Sequence, residues 1–150
     1  MLDFIWHLRG AATLKDTRSD SEVLDSVEQL LQRQRKTRIL RSSDQVNFKS
    51  PLWEGYFGPN WLAMVIYDDG RFWIERSIGT RCLKYDLRSL HGFVFCLFGA
   101  VMFFGFGAAD GGVVKGVKYA AFAFGWLYGM NMVLAWLRIP RAIRKAVTQS

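Results

Sequence analysis

The longest apolar stretch of the chain runs from residue 90 to residue 137, and one short polar segment interrupts it. Residues 90–109 contain no Asp, Glu, Lys or Arg, and only His91 interrupts the apolar run. A helix rises about 1.5 Å per residue and a bilayer core is about 30 Å thick, so twenty apolar residues suffice to cross it. Residues 117–137 have a similar length, with Lys118 close enough to one end to reach the headgroups.

Residues 110–116 (DGGVVKG) separate these two halves and have the composition of a glycine-rich turn. The pattern therefore predicts a transmembrane helical hairpin over residues 90–137. The competing interpretation is a pair of core helices in a soluble protein, which so long a run without charges disfavours.

The polar first part of the chain predicts one helix followed by strands. Ser19 and Glu22 have the spacing of a capping box, in which each side chain accepts a hydrogen bond from an otherwise unpaired amide. Val23, Val27 and Leu30 follow at helical spacing, so the helix should cover something apolar. Short apolar runs bounded by turn residues then predict strands over residues 38–41, 45–49, 61–67, 71–77 and 80–86.

Two turn signals order these strands into an antiparallel meander. Asp68-Asp69-Gly70 is the stronger one, because glycine supplies the positive φ that tight hairpins need, and Ile78-Gly79 is the second. The predicted fold class is therefore α+β: a small cytoplasmic helix plus an antiparallel β-meander, followed by a two-helix transmembrane hairpin. The predicted segments are a loose or amphipathic stretch, the α+β domain, the hairpin and a basic tail, over residues 1–18, 19–89, 90–137 and 138–150.

Two further segments carry apolar side chains without an obvious place in this scheme. Residues 1–8 form an amphipathic arc if helical, which suits either an interfacial anchor or a segment docked on the domain. Residues 50–61 combine glycine and proline with the aromatic residues Trp53, Tyr56 and Phe57. This aromatic loop either enters the membrane interface, contacts a protein partner, or folds over the sheet.

The net charge of +7 comes from 20 basic and 13 acidic residues, and its distribution indicates an orientation. Residues 138–150 contain four basic residues and no acidic one, whereas the turn between the apolar halves is nearly neutral. Positive charge beside a membrane segment favours the cytoplasmic side, so both termini are expected in the cytoplasm, at a bacterial inner membrane. The basic surplus flanks apolar segments, so a nucleic-acid partner is not expected.

Basic side chains near the membrane are candidates for contacts with lipid headgroups, at about 1 kcal/mol for each charge. They lie at the end of the predicted helix and in the tail, and the competing interpretation is a solvated surface. The predicted headgroup residues are Arg33, Arg35, Lys36, Arg141, Arg144 and Lys145.

Small residues recur on one face of each apolar half, as in membrane helices that pack closely. The predicted helix-packing residues are Gly92, Cys96, Gly99 and Ala100 in the first half, and Ala121, Gly125 and Gly129 in the second. We expect these two faces to pack on each other, with a homodimer as the alternative. Asn131 lies off this face, so we expect its amide to contact a helix of another protein or of another copy of the chain. The alternative is a hydrogen bond to the backbone of its own helix or to the first half.

Recognisable catalytic chemistry is missing from the sequence. No metal-ligand spacing, phosphate-binding glycine loop or nucleophile paired with a base is present, and ligation of a haem or chlorophyll by His91 is disfavoured. Cys82 and Cys96 are expected in different environments, so a disulfide is not expected. We therefore expect neither a cofactor, a metal site nor enzymatic activity.

These observations favour a non-catalytic accessory or assembly subunit of a larger integral membrane complex. Its expected partners are membrane lipids, other integral membrane proteins and further copies of the chain. The main alternative is a homo-oligomeric lipid-binding or membrane-shaping module, and a small enzyme acting on a lipid-borne substrate is a weaker one.

Overall fold

The computed structural model describes residues 5–15, 17–51 and 63–148. Its helical elements are α1 (Asp20–Arg33), α2 (Leu90–Phe124), a π-helical turn (Gly125–Gly129) and α3 (Met130–Thr148). Its strands are β1 (His7–Thr13), β2 (Ile39–Arg41), β3 (Gln45–Lys49), β4 (Asp69–Ser77) and β5 (Thr80–Arg88). The α+β class is confirmed.

The capping box predicted for α1 is confirmed. The Glu22 amide donates to Ser19 Oγ at 3.3 Å, and the Ser19 amide donates to the Glu22 carboxylate at 2.8 Å. These bonds hold the pKa of Glu22 below its ordinary value. The apolar face of α1, which includes Val23, Val27 and Leu31, is buried against the sheet.

The five strands form one antiparallel sheet in the order β1-β5-β4-β3-β2. The meander from β2 to β5 is therefore confirmed, but β1 comes from the segment predicted to be loose or helical. His7 Nδ1 and Arg9 Nε contact the carboxylate of Asp86 on β5 at 2.6 and 2.8 Å. A helix of eight residues is unstable in isolation, whereas the open edge of β5 offers this segment a row of backbone hydrogen-bond partners.

The predicted turn at Asp68-Asp69-Gly70 is wrong. Asp69 and Gly70 lie within β4, where Gly70 pairs with Phe48 on one side and Leu87 on the other. A Cβ on Gly70 would collide with the Phe48 ring, so close packing explains this glycine. The strand expected over residues 61–67 is also absent in its described part, because residues 63–66 form a turn.

The predicted hairpin of two separate helices is wrong in that form. Helical structure extends from Leu90 to Thr148, 59 residues in all, and only Gly111 and Gly112 depart from helical dihedral angles. Gly112 has φ +82°, a value that glycine tolerates without strain. We call residues 90–110 the first arm and residues 113–148 the second arm of this kinked helical segment.

The two arms contact each other along their apolar parts. The Phe93 ring lies 5.5 Å from the Phe124 ring and 5.4 Å from the Tyr128 ring, centroid to centroid. Near the kink, a Cβ on Gly107 would stand 2.9 Å from the Cα of Gly116. The backbones of the arms therefore approach each other closely where both carry glycine.

The predicted basic tail is not a tail. Ile139 and Ile143 of α3 are fully buried, and Val147 is nearly so, in the same core as α1 and the sheet. Arg18 donates to the Val147 carbonyl at 2.9 Å, which fixes the end of α3 beside α1. The second arm thus contacts the first arm in its apolar part and belongs to the α+β core at its C-terminal end.

Large apolar side chains remain exposed over the rest of both arms, among them Phe98, Phe106, Phe122, Trp126 and Trp136. The helical segment is long and apolar enough to cross a membrane by length and composition, and 22% of its most apolar window is buried within the protein. Such a surface is far more apolar than that of an ordinary soluble helix.

Candidate functional site

The candidate site is the junction where the sheet meets the two arms. Ser89 is the only residue between β5 and α2, and its amide donates to the Trp6 carbonyl at 2.7 Å. The Tyr128 hydroxyl donates to the Ile5 carbonyl at 2.7 Å and lies 3.2 Å from Ser89 Oγ. The Trp6 ring also packs on Phe93 at 5.6 Å. These contacts tie the start of β1 to both arms.

A buried carboxylate organises the polar side of the junction. The Asp68 residue is 5% exposed, and Arg88 donates to its Oδ2 at 3.1 Å from Nη2 and 3.3 Å from Nε. The His91 amide lies 3.3 Å from Asp68 Oδ1, so this carboxylate also binds the first turn of α2. An acidic group at a helix N-terminus is stabilised by the helix dipole.

Lys36 lies beside this carboxylate rather than on the outer surface. Its Nζ donates to the Tyr67 carbonyl at 2.6 Å and lies 5.2 Å from the centre of the Phe48 ring. Burial lowers the pKa of the Lys36 amine to about 8, and the charge of Asp68 offsets part of that effect. Ser50 Oγ, which lines the same small cavity of about 20 Å³, is buried and has no hydrogen-bond partner among the described residues.

The lowered pKa of Lys36 predicts a pH-dependent stability. In the unfolded chain the amine keeps its proton up to about pH 10.4, whereas in the folded chain it loses the proton near pH 8. The unfolded state therefore binds more protons in this window, and the free energy of unfolding should rise with pH between about 8 and 10. Above pH 10 the effect reverses, because burial raises the pKa of Tyr67 and Tyr85 above that of an unfolded tyrosine.

The measurement is the melting temperature at about pH 7.5 and about pH 9.5 for the wild type, Lys36→Met and Arg33→Met. We expect the wild type and the exposed-site control Arg33→Met to gain stability relative to Lys36→Met at the higher pH. Parallel pH profiles for all three proteins would show that Lys36 is not a buried, titrating amine.

A larger cavity opens on the side of the arms. This lateral groove has a volume of about 470 Å³ and lies between the turn at residues 63–66 and both arms. Its lining includes Ile66, Gly92, Cys96, Leu127, Asn131 and Arg138. The walls are largely apolar, and Arg138 places a positive charge near the sheet.

The small face predicted on the first arm lies toward the protein interior. Gly92, Cys96 and Ala100 are buried, and a Cβ on Gly99 would meet Leu127 of the second arm at 3.6 Å. A Cβ on Gly92 would stand 3.3 Å from the Ile66 carbonyl oxygen. This face therefore packs against both the second arm and the turn before β4.

The small face predicted on the second arm does not pack against the first. Ala121 and Gly125 are exposed, and a Cβ on Gly125 or Gly129 would meet no described residue within 4 Å. Gly116, Ala123 and Tyr128 are the buried positions instead. The prediction that the two small faces pack on each other is therefore wrong, while packing of the Ala121 face on another helix stays a prediction.

Asn131 and the aromatic loop were the predicted partner contacts. Asn131 is exposed, and its Nδ2 donates to the Leu127 carbonyl of its own helix at 2.6 Å, the local alternative considered from the sequence. Trp53, Tyr56 and Phe57 lie outside the described residues. Their predicted role stays a prediction.

The predicted headgroup residues fall into two groups. Arg33 and Arg35 at the end of α1 are exposed, and so are Arg141, Arg144 and Lys145 on the outer face of α3. Lys36 is half-buried and bonded inward, so it is not available as a surface charge in the way the sequence predicted. Helix α3 is amphipathic: one face carries its buried core residues, so Arg141, Arg144 and Lys145 lie on the opposite, exposed face.

The predictions from the sequence lack two features of the structure. The contact between Gly107 and Gly116 has a sequence signal, because glycines recur four residues apart at 107 and 111 and again at 112 and 116. The lateral groove has none, because it depends on residues from three separate segments. Among the described residues, no group of three His, Cys, Asp or Glu side chains is placed to hold a metal ion.

Comparison of the chain with protein-family models, with curated proteins and with solved structures finds no match.

Proposed function

We propose that this protein is a non-catalytic accessory or assembly subunit of a larger integral membrane complex. In this proposal the two arms cross the bilayer of a bacterial inner membrane. The α+β domain and both termini lie on the cytoplasmic side. The expected partners are lipids and other integral membrane proteins.

The observation that carries the proposal is the outward small face of the second arm. Ala121 and Gly125 are exposed, and no described residue would stand within 4 Å of a Cβ on Gly125 or Gly129. Lipid provides no hydrophobic force that drives helices together, so membrane helices associate where small residues let their backbones approach. Because the first arm does not occupy this face, a helix of another subunit is its best-fitting occupant.

The course of the second arm supports a role in assembly. The helical assignment is continuous through the π-helical turn to α3, where Ile139 and Ile143 are buried in the α+β core. A partner bound at Gly125 and Gly129 therefore contacts the same helix that completes the core. Binding in the membrane would fix the position of the α+β domain relative to that partner.

The distribution of charge supports the proposed orientation. Arg88 and Arg138 lie at the sheet end of the two arms, and Arg141, Arg144 and Lys145 are exposed nearby on α3. At the kink, Lys115 is paired with Asp110 at 2.5 Å, which reduces the positive charge of that end. This asymmetry favours the sheet end as the cytoplasmic one.

The test is affinity purification from native membranes in a mild detergent, followed by native gel electrophoresis and mass spectrometry. We expect the wild type to retain other membrane proteins, and Gly125→Leu and Gly129→Leu to lose them, because a side chain there holds the helices apart. Gly105→Leu is the matched control, since Gly105 is also an exposed arm glycine with open space around it.

Recovery of the wild-type chain without other proteins would contradict the subunit proposal. An equal loss of partners in Gly105→Leu would show that the Ala121 face is not the specific contact. A ladder of bands containing only this chain would favour the alternative, a homo-oligomeric lipid-binding or membrane-shaping module. The exposed basic residues of α1 and α3 are the feature that suits that alternative.

A further inference from the structure

The lateral groove has the size and lining of a ligand site. Its volume of about 470 Å³ falls within the range of about 300–1,000 Å³ that is typical of pockets for small molecules. Phe95, Cys96 and Leu127 line its apolar part, and Phe95 is 60% exposed at its edge. The groove is therefore an apolar surface that is not filled by the described residues.

Polarity in the groove changes along the second arm. Leu127 and Arg138 are eleven residues apart, which corresponds to about 16 Å along a helix. This length is roughly half of the bilayer core, the depth of one leaflet. Asn131 lies between them, so the lining passes from apolar side chains, through an amide, to a positive charge beside the sheet domain.

We infer that the lateral groove binds one anionic phospholipid from the leaflet next to the α+β domain. One acyl chain lies along the wall formed by Cys96 and Leu127, and the headgroup phosphate is bound by Arg138. The inference rests on the membrane location in the proposed function, but not on a protein partner.

The chemistry of Arg138 favours a phosphate-bearing headgroup. A guanidinium binds phosphate through two parallel hydrogen bonds, and Arg138 is exposed where it lines the groove. A zwitterionic lipid also carries a phosphate, but its positive group offsets part of the attraction. The apolar wall supplies affinity for any acyl chain, and Arg138 supplies the preference for a net negative charge.

The test is native mass spectrometry of the full chain in mild detergent with added phosphatidylglycerol or phosphatidylcholine. We expect one tightly bound lipid per chain and a preference for phosphatidylglycerol. Arg138→Gln should lower that preference about fivefold, the effect of one basic residue near a membrane surface. Arg141→Gln is the comparison variant: Arg141 is exposed one turn further along the same helix and does not line the groove, so its loss should lower the preference less than Arg138→Gln does.

A second variant tests the groove rather than the charge. Asn131→Trp should fill the groove and weaken binding of both lipids, and it should still fold because Asn131 is exposed and its side chain donates to the Leu127 carbonyl of its own helix. An equal loss of preference in Arg141→Gln would overturn the inference in favour of diffuse surface charge. Unchanged lipid binding in Asn131→Trp would overturn it as well.

Two other occupants are distinguished by the same measurement. Lipid binding that occurs only after Trp53→Ala and Phe57→Ala would mean that the aromatic loop fills the groove in the native chain. Lipid bound to the isolated chain but absent from the purified complex would mean that a partner helix fills it. Either result would overturn the inference.

Failure of the groove and failure of the proposed function give different results. Release of the protein from membranes by alkaline carbonate without detergent would contradict the membrane location, on which the groove inference and the proposed function both depend. If the protein stays in the membrane and retains its partners, but its lipid binding does not depend on Arg138, only the inference about the lateral groove is contradicted.

Discussion

Ile143→Ala should lower the free energy of unfolding by about 2–5 kcal/mol, the usual cost of removing a buried aliphatic side chain from a core. Ile143 and Ile139 are fully buried, although the sequence predicts a basic tail over residues 138–150. Their contacts join α3 to α1 and β1, so the loss should destabilise the sheet domain and not α3 alone.

Chemical denaturation of the detergent-solubilised full chain, followed by circular dichroism, measures this effect. Arg141→Ala is the control, because it is exposed on the same helix and should change stability by no more than about 0.5 kcal/mol. Similar denaturation midpoints for Ile143→Ala and Arg141→Ala would contradict the docking of α3 in the core.

Gly107→Leu should separate the two arms. A Cβ at this position would already stand 2.9 Å from the Cα of Gly116 and 3.0 Å from the Lys115 carbonyl oxygen, and neither backbone atom moves aside easily. Overpacking of this kind costs at least about 1–3 kcal/mol. Gly116→Leu should have the same effect, because a Cβ there would stand 2.8 Å from the Phe104 carbonyl oxygen.

Thermal unfolding in detergent compares these variants with Gly125→Ala. Gly125 lies in open space, so alanine there should be neutral or should stabilise the helix by up to about 1 kcal/mol through its higher helix propensity. Equal destabilisation by Gly107→Leu and Gly125→Ala would mean that the glycines at 107 and 116 are not the contact between the arms.

These two predictions concern the same structural feature, a second arm with three different surroundings. Gly116 packs on the first arm, Gly125 and Gly129 have open space around them, and Ile139 and Ile143 lie in the core. The π-helical turn (Gly125–Gly129) lies between Gly116 and the core residues of α3. A π-helical turn adds a residue to the helix and so changes which side chains share a face. A single straight wheel over residues 117–137 could not have placed them correctly.

Local signals in the sequence were sufficient for several elements. The capping box at Ser19 and Glu22 located the start of α1, because it needs only four consecutive residues. Strand β3 was predicted with its observed bounds, and β5 began where expected because Gly79 adopts a positive φ of 75° in the turn before it. The long run without charges identified the apolar helical segment.

The errors occurred where a residue serves a distant contact. Gly70 resembles a turn glycine, yet it is required by the Phe48 ring on a neighbouring strand. Residues 7–13 contain a glycine and two alanines, which disfavour a strand by propensity, and they become one because β5 provides an open edge. Lys36 belongs to a basic run in the sequence, but the fold brings its amine beside Asp68 and the Tyr67 carbonyl.

By itself the sequence determined that a polar α+β unit precedes an apolar helical segment, because hydrophobic periodicity and uncharged length are local properties. Only the tertiary structure decided that α3 completes the core of that unit, that the small face of the second arm stays open, and that Arg138 stands at the end of the lateral groove. The physical reason is that burial depends on which distant segments pack against a residue. The same spacing of small or apolar residues is therefore compatible with an internal contact and with an open surface.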